Sequence, residues 1–358
     1  MKVKEPYQLF SEPLKYYNSM LDDINAAKSY IYIETFRFGD DEMGNNFATA
    51  LIKARKKRDV EVKLLVDYWG AGNTGSNVFE RLKKGGVEVR FFEKIKYNFD
   101  VFTKGHRRNH RKLLIIDDKI VYIGSSNITA YNINWRESVL RMKSGIAVTF
   151  KKLLLQDWKL YNQYVISRNY NTKVIKYYNF SIFRDVPNIA QKKINRLFIN
   201  MIKNAQKSVY VETPYFLPGY LLRRALMSAA KRGVQVTVII PKKSDVRLVD
   251  ILRNKYIGPL SVSGIKFLFY ETNNLHSKLL LIDEKEFAIG SSNFDYRSFR
   301  YMFEIVLKGN DPDISGQIFK HITQTVSDTT PFIYEAWKNR PYIDKFFEWL
   351  LVPFRHLL

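Results

Sequence analysis

Cysteine is absent from the 358 residues, so the chain can hold no disulfide, thiolate nucleophile or thiolate metal site, which fits a reducing compartment. Histidine is scarce, and five imidazoles must carry any imidazole chemistry. No apolar run reaches the roughly 18 residues that suggest a bilayer span, and the opening MKVKEPYQLF lacks the apolar centre of a signal peptide. The expectation is a chain that stays in the cytosol unless it binds a surface. Glycine (17) and proline (11) are few, which argues against a long flexible linker. Acidic residues are also under-represented, 35 against 58 Lys and Arg, and the net charge of +23 should attract a polyanion: nucleic acid, an anionic bilayer or a phosphate-bearing substrate. Hydrophobic residues (46%) and aromatics (15%) suffice to fill the cores of two ordinary domains.

The chain repeats itself. NHRKLLIIDDKIVYIGSSN begins at Asn109, and LHSKLLLIDEKEFAIGSSN begins at Leu275. His110 and His276, Lys112 and Lys278, Asp117 and Asp283, Gly124 and Gly290, and Asn127 and Asn293 are all separated by 166 positions. Upstream, KSYIYIETFRF is echoed by KSVYVETPYF, and GGVEVRFFE by SGIKFLFYE. A whole-domain duplication explains this. Each half reads as strand, helix, strand, helix, strand and then a hairpin, which predicts an α/β fold with a mixed, mostly parallel sheet flanked by helices. The polar stretch SRNYNTKVIKYYNFS sets the boundary, giving domains 1–168 and 169–358.

Side chains two apart on a strand share a face, so His110 lies beside Lys112 and His276 beside Lys278. DDK and DEKE turn the chain, and the return strands bring Ser125, Ser126 and Asn127, or Ser291, Ser292 and Asn293, back toward the histidine. Imidazole, ammonium, hydroxyl and carboxamide together suit a tetrahedral phosphoryl oxyanion. One such pair could be an exposed strand end, but packing gives no reason to repeat the same polar residues in the same register.

HRKLLIID and HSKLLLID, each followed by GSSN, resemble the paired His-x-Lys-x4-Asp motifs of the phospholipase D superfamily. Within it, RNHRK, IETF, WRES, ETPYF and NFDYRS look most like bacterial cardiolipin synthases. The resemblance implies two tandem phospholipase D-like domains with an active site at their interface and neither metal nor other cofactor. It implies a catalytic set of His110, Lys112, Asp117, His276, Lys278 and Asp283, with Ser125, Asn127, Ser291 and Asn293 as phosphate-binding or supporting groups. His110 is the expected nucleophile and His276 the acid and base, in the family's usual order. Asp117 and Asp283 have the opposite strand parity, and a carboxylate would repel a phosphodiester, so they are read as structural supports. Glu137 and Glu304, which follow their histidines by 27 and 28 positions, match family carboxylates that orient the rings; pairing with Arg136 or Arg300 is the alternative.

The implied reaction makes cardiolipin from two phosphatidylglycerol molecules through a phosphohistidine, at the cytoplasmic face of the membrane. Hydrolysis of phospholipid or nucleic acid is the alternative, and nucleic acid is the lesser partner. Membrane-embedded cardiolipin synthases begin with two apolar spans that this sequence does not contain. Attachment is therefore expected from a basic cluster, Lys104, Arg107, Arg108 and Arg111, and from a C-terminal helix whose apolar stripe, Ile343, Phe346, Phe347, Leu350, Leu351, Phe354, Leu357 and Leu358, faces either the protein's own core or a bilayer. Pro353 should end or kink that helix. GAGNTG, with Glu93 downstream, is a weak nucleotide-loop match. His106 is expected to touch solvent or headgroups, and His321 and His356, lacking partners at metal spacing, are assigned no chemistry.

Overall fold

The computed structural model describes residues 6–72, 75–92, 107–161, 172–187 and 192–356. Two compact units emerge: Met1–Lys173 with Met302–Glu304, and Val174–Tyr301 with Ile305–Leu358. The expected break between 168 and 169 lies outside the described residues, as do Asn73, Thr74, Glu93, Lys104, His106, Leu357, Leu358 and the side chain of His356.

In the first unit β1 (Tyr7–Phe10) and α1 (Pro13–Ala26) precede β2 (Tyr30–Thr35), α2 (Glu42–Arg58), β3 (Glu61–Asp67), α3 (Asn77–Lys84) and β4 (Glu88–Phe92). Then come β5 (Arg108–Asn109), β6 (Leu113–Ile116), β7 (Ile120–Gly124), β8 (Val139–Lys143) and α4 (Ile146–Leu160). The sheet order is β1-β8-β7-β6-β2-β3-β4. Residues of β2 are buried throughout, as a strand covered on both faces requires. α2 starts where the Asp41 side chain accepts from Gly44 N at 3.0 Å, and it buries Phe47, Leu51 and Ala54 at helical spacing.

The second unit repeats the plan. β9 (Ile175–Tyr177), β10 (Phe180–Asp185) and α5 (Lys193–Asn204) lead to β11 (Ser208–Glu212), β12 (Phe216–Leu217), α6 (Tyr220–Lys231), β13 (Gln235–Pro241), α7 (Arg247–Val262) and β14 (Lys266–Tyr270). The hairpin of β15 (Leu279–Ile282) and β16 (Glu286–Gly290) follows, then β17 (Phe294–Asp295), α8 (Tyr296–Tyr301), β18 (Met302–Gly309), α9 (Pro312–Ser327), β19 (Thr329–Pro331), α10 (Tyr334–Lys338) and α11 (Tyr342–Leu351). The α/β class holds, but the sheets are not mostly parallel. Within the seven-stranded sheet β2–β3 and β3–β4 are parallel, and the pairs β1–β8, β7–β8, β6–β7 and β2–β6 are antiparallel. The motif hairpin accounts for one antiparallel pair in each unit, because a tight turn can join only antiparallel neighbours.

Each motif turn has a physical cause. Asp117 and Asp118 have φ of 52° and 51°, and Asp283 and Glu284 have φ of 52° and 58°, the left-handed conformation that a two-residue turn between twisted strands needs. Aspartate tolerates it better than most residues. Gly124 and Gly290 close the return strands for a different reason. A Cβ on either would stand 2.1 Å from the Ser138 or Ile305 carbonyl oxygen of the next strand.

Candidate active site

In the first unit β5 pairs in parallel with the start of β18, Met302 opposite Arg108 and Phe303 opposite Asn109. His110 N then donates to Phe303 O at 3.0 Å, and the next residue, Glu304, places Oε1 3.0 Å from His110 Nδ1. Glu304 is fully buried and His110 nearly so. A carboxylate only accepts, so this contact puts the ring proton on Nδ1 and leaves Nε2 with its lone pair when the imidazole is neutral. The Phe36 ring meets the imidazole edge-on at 5.6 Å. Lys112, also buried, donates from Nζ to His110 O at 2.6 Å. Lys278 repeats this in the second unit, donating to His276 O at 2.7 Å, and both residues are buried.

Chain order suggested Glu137 for His110; the strand pairing delivers Glu304 instead. Glu137 accepts from the Ser125 hydroxyl and, at 3.2 Å, from Asn132 Nδ2. Ser125 also ties β7 to Ser138 through both backbone and side chain, and Ser291 does the same with Ile305. Asn127 Oδ1 accepts from Arg37 N at 3.2 Å. Asn293 donates from its side chain to Asp295, whose carboxyl burial pushes up.

The motif aspartates face away from this chemistry. Asp117 accepts from the backbone of Lys28, Ser29 and Tyr30 at 2.6–3.0 Å, and Asp283 from Gln206, Lys207 and Ser208 at 2.7–3.2 Å, so each clamps its hairpin to the start of the neighbouring strand. Burial opposes ionisation of Asp283, but the three N–H groups outweigh it and hold the carboxyl below its ordinary range.

Two members of the basic cluster, Arg108 and Arg111, do not present a docking surface. Arg108 and Arg111 are fully buried: Arg108 Nε lies 3.4 Å from Asp67, and Arg111 pairs with Asp157 and donates to Glu304 O at 3.2 Å. Guanidinium groups inside a fold need such partners, and these supply them. Asp67 also accepts from Asn109 N at 2.8 Å, and Glu34 from Asn109 Nδ2 at 2.7 Å, so a buried polar frame holds the strand that carries His110. Sequence reading missed this frame, although the repeated Glu-Thr of IETF and ETPYF marked Glu34 and Glu212. His321, to which no chemistry was assigned, sits in the core of the second unit with its Nε2 2.8 Å from Glu212 Oε2.

α11 turns much of the expected stripe outward, although Leu351 packs partly against the second unit's core. Glu348, inside the fold and paired with Arg340 at 2.7 Å, is its buried residue, whereas Ile343, Phe346, Phe347, Trp349 and Leu350 are exposed. The α-helix ends at Leu351, and a 3-10 turn containing Pro353 follows. No helix among the described residues is long and apolar enough to cross a membrane.

A family model described as "Cardiolipin synthase, PLD-like domain" matches residues 20–158 and 198–326. The probable cardiolipin synthase YwiE of Bacillus subtilis is 30% identical over 333 residues, covering 90% of this chain and 66% of that protein. A cardiolipin synthase of Oceanobacillus iheyensis is 32% identical over 307 residues, covering 83% of this chain and 64% of its own. The chain thus spans about two thirds of the length of these relatives. Among solved structures, phosphatidylserine synthase of Haemophilus influenzae superposes with a TM-score of 0.77 at 15% identity, over 99% of this chain and 94% of that one, a likeness of fold.

Proposed function

We infer, for a chain that belongs to the phospholipase D-like domain family of cardiolipin synthases, a phosphatidyl transfer that makes cardiolipin and glycerol from two molecules of phosphatidylglycerol. The observation that carries this reading is the buried contact between His110 Nδ1 and Glu304 Oε1 at 3.0 Å, which presents Nε2 as a nucleophile beside Lys112. His110 Nε2 forms a bond to phosphorus as the glycerol oxygen leaves with a proton from His276. The hydroxyl of a second phosphatidylglycerol then attacks phosphorus, the N–P bond breaks, and the hydroxyl proton returns to His276. Lys112, Lys278 and Asn127 serve the phosphoryl oxygens, Glu304 and Glu137 orient the machinery, and Asp117 and Asp283 brace it.

The substrates are lipids, so the site must work at a bilayer surface. Support comes from α11, whose outward Trp349, Phe346, Phe347 and Tyr342 have the composition of an interfacial helix, and from a net charge of +23 that complements an anionic leaflet. The proposed location is peripheral, on the cytoplasmic face. The test is lipid mass spectrometry after incubation with phosphatidylglycerol vesicles, with free glycerol assayed in parallel. Equal amounts of cardiolipin and glycerol are expected. Phosphatidic acid in their place would make water the acceptor and overturn the transferase reading.

A further inference from the structure

The two halves share one local frame and differ in what it holds. Glu34, Thr35, Phe36, Arg37 and Phe38 correspond to Glu212, Thr213, Pro214, Tyr215 and Phe216. The geometry repeats: Thr35 Oγ1 donates to Arg37 O at 3.2 Å, and Thr213 Oγ1 to Tyr215 O at 3.0 Å. Phe38 bridges Ile128, and Phe216 pairs with Phe294, both in parallel. One residue earlier on each side, Arg37 therefore stands by Asn127 and Tyr215 by Asn293. A cation in one half is replaced by a phenol in the other.

The surroundings of that phenol are unusual in so basic a protein. Tyr215 Oη donates to Asp245 Oδ1 at 2.7 Å, and Asp245 is exposed. Burial, then the charge of Asp245 and its hydrogen bond, with smaller contributions from Asp295 and Asp250, pushes the phenol well above its ordinary range. The tyrosine keeps its proton, directs it at Asp245 and leaves its oxygen lone pairs to accept. Across from it Asn293 is 4% exposed, its amide bonds Asp295, and its Oδ1 has no hydrogen-bond partner among the described residues. A buried amide oxygen without a donor costs about 1–3 kcal/mol, so it is a position that a ligand hydroxyl can satisfy.

Phenol oxygen, carboxylate oxygen and amide oxygen are all acceptors, and the carboxylate is negative. Such a wall repels phosphate and suits a neutral molecule rich in O–H donors. We propose that Tyr215, Asp245 and Asn293 form the recognition site for a neutral polyol, the glycerol end of the alcohol that leaves or enters during transfer. This rests on the phosphatidyl-transfer reading and deepens it. The second half selects the alcohol, while Arg37, with its positive charge at the equivalent position, leaves the first half to anionic groups.

The test is a competition in one vessel. The full chain is incubated with phosphatidylglycerol vesicles and equal concentrations of deuterated glycerol and 1-propanol, which has the same carbon count but one hydroxyl. Mass spectrometry then gives the ratio of labelled phosphatidylglycerol to phosphatidylpropanol. The wild type should favour glycerol, and Tyr215→Phe and Asp245→Asn should each move the ratio toward propanol by about tenfold, one charge-assisted hydrogen bond's worth. Because both products come from the same active molecules, partial unfolding leaves the ratio alone. An unchanged ratio in both variants, with transfer intact, overturns the polyol site but not the transfer reaction. A wild type that forms neither product overturns the transfer reading and this inference with it.

Discussion

Replacing Glu304 by glutamine removes one charge from a site that is otherwise preserved in shape. The carboxylate is fully buried and 3.0 Å from His110 Nδ1. A hydrogen bond to a charged group contributes about 1.5–3 kcal/mol, and losing the charge forfeits much of that at the moment the imidazole becomes cationic on attack. The corresponding loss in kcat is roughly 10- to 150-fold. A second effect adds to it. The amide can turn its N–H toward Nδ1, which moves the ring proton to Nε2 and blocks the nucleophile, and a wrong tautomer of this kind has cost about 10⁴ in a hydrolase triad. The expected fall for Glu304→Gln is therefore about 10²- to 10⁴-fold in the rate of cardiolipin formation. The thermal midpoint, measured alongside, should change little because the amide fills the same volume. A variant that folds normally and turns over within threefold of the wild type would refute the reasoning.

His110→Ala and His276→Ala should each abolish detectable cardiolipin in the same assay while leaving the circular dichroism spectrum unchanged. Gly124→Ala pushes a methyl to 2.1 Å from Ser138 O, and should cost about 1–3 kcal/mol, read as a lower denaturant midpoint. Arg111→Ala should destabilise by about 3–5 kcal/mol by stranding the buried Asp157, whereas Phe346→Ser with Trp349→Ser should leave stability alone and weaken binding to phosphatidylglycerol vesicles by roughly 30-fold, as about 2 kcal/mol of apolar contact is lost. Asp283 has a lowered carboxyl pKa, so its clamp stabilises the fold above about pH 4 and the contribution is lost as pH falls through the lowered value. Asp283→Asn should therefore flatten the acid limb of the stability curve, and an acid limb identical to that of the wild type would contradict the assignment.

What could be read from the sequence was what repeats locally. The two-residue period put His110 with Lys112 and set Asp117 on the other parity, and the left-handed turn at Asp117 and Asp118 follows from residues that tolerate it. Long-range partners were less legible. Glu304 reaches His110 from 194 positions away because β18 pairs with β5, and no local pattern announces that pairing. Arg108 and Arg111 looked like surface charge because Asp67 and Asp157, which bury them, lie far along the chain. The carboxylate beside His321, Glu212, is likewise 109 positions away and has no local signal. In α11 periodicity revealed an apolar stripe but not the side it faces, which Glu348 and Arg340 decide by pairing inward. The antiparallel pair inside each hairpin follows from its tight turn, whereas the antiparallel pairing of the flanking strands β2 and β8 has no local signal.

The account stands on a covalent bond between phosphorus and His110. The direct measurement is peptide mapping by mass spectrometry after the wild-type protein has reacted for milliseconds with short-chain phosphatidylglycerol and been quenched in alkaline detergent, where a phosphoramidate survives. A phosphatidyl mass on the peptide that contains His110, absent from Glu304→Gln at the same time point, is the predicted result. The same mass on the peptide that contains His276, or no adduct on either while cardiolipin accumulates, would contradict the account.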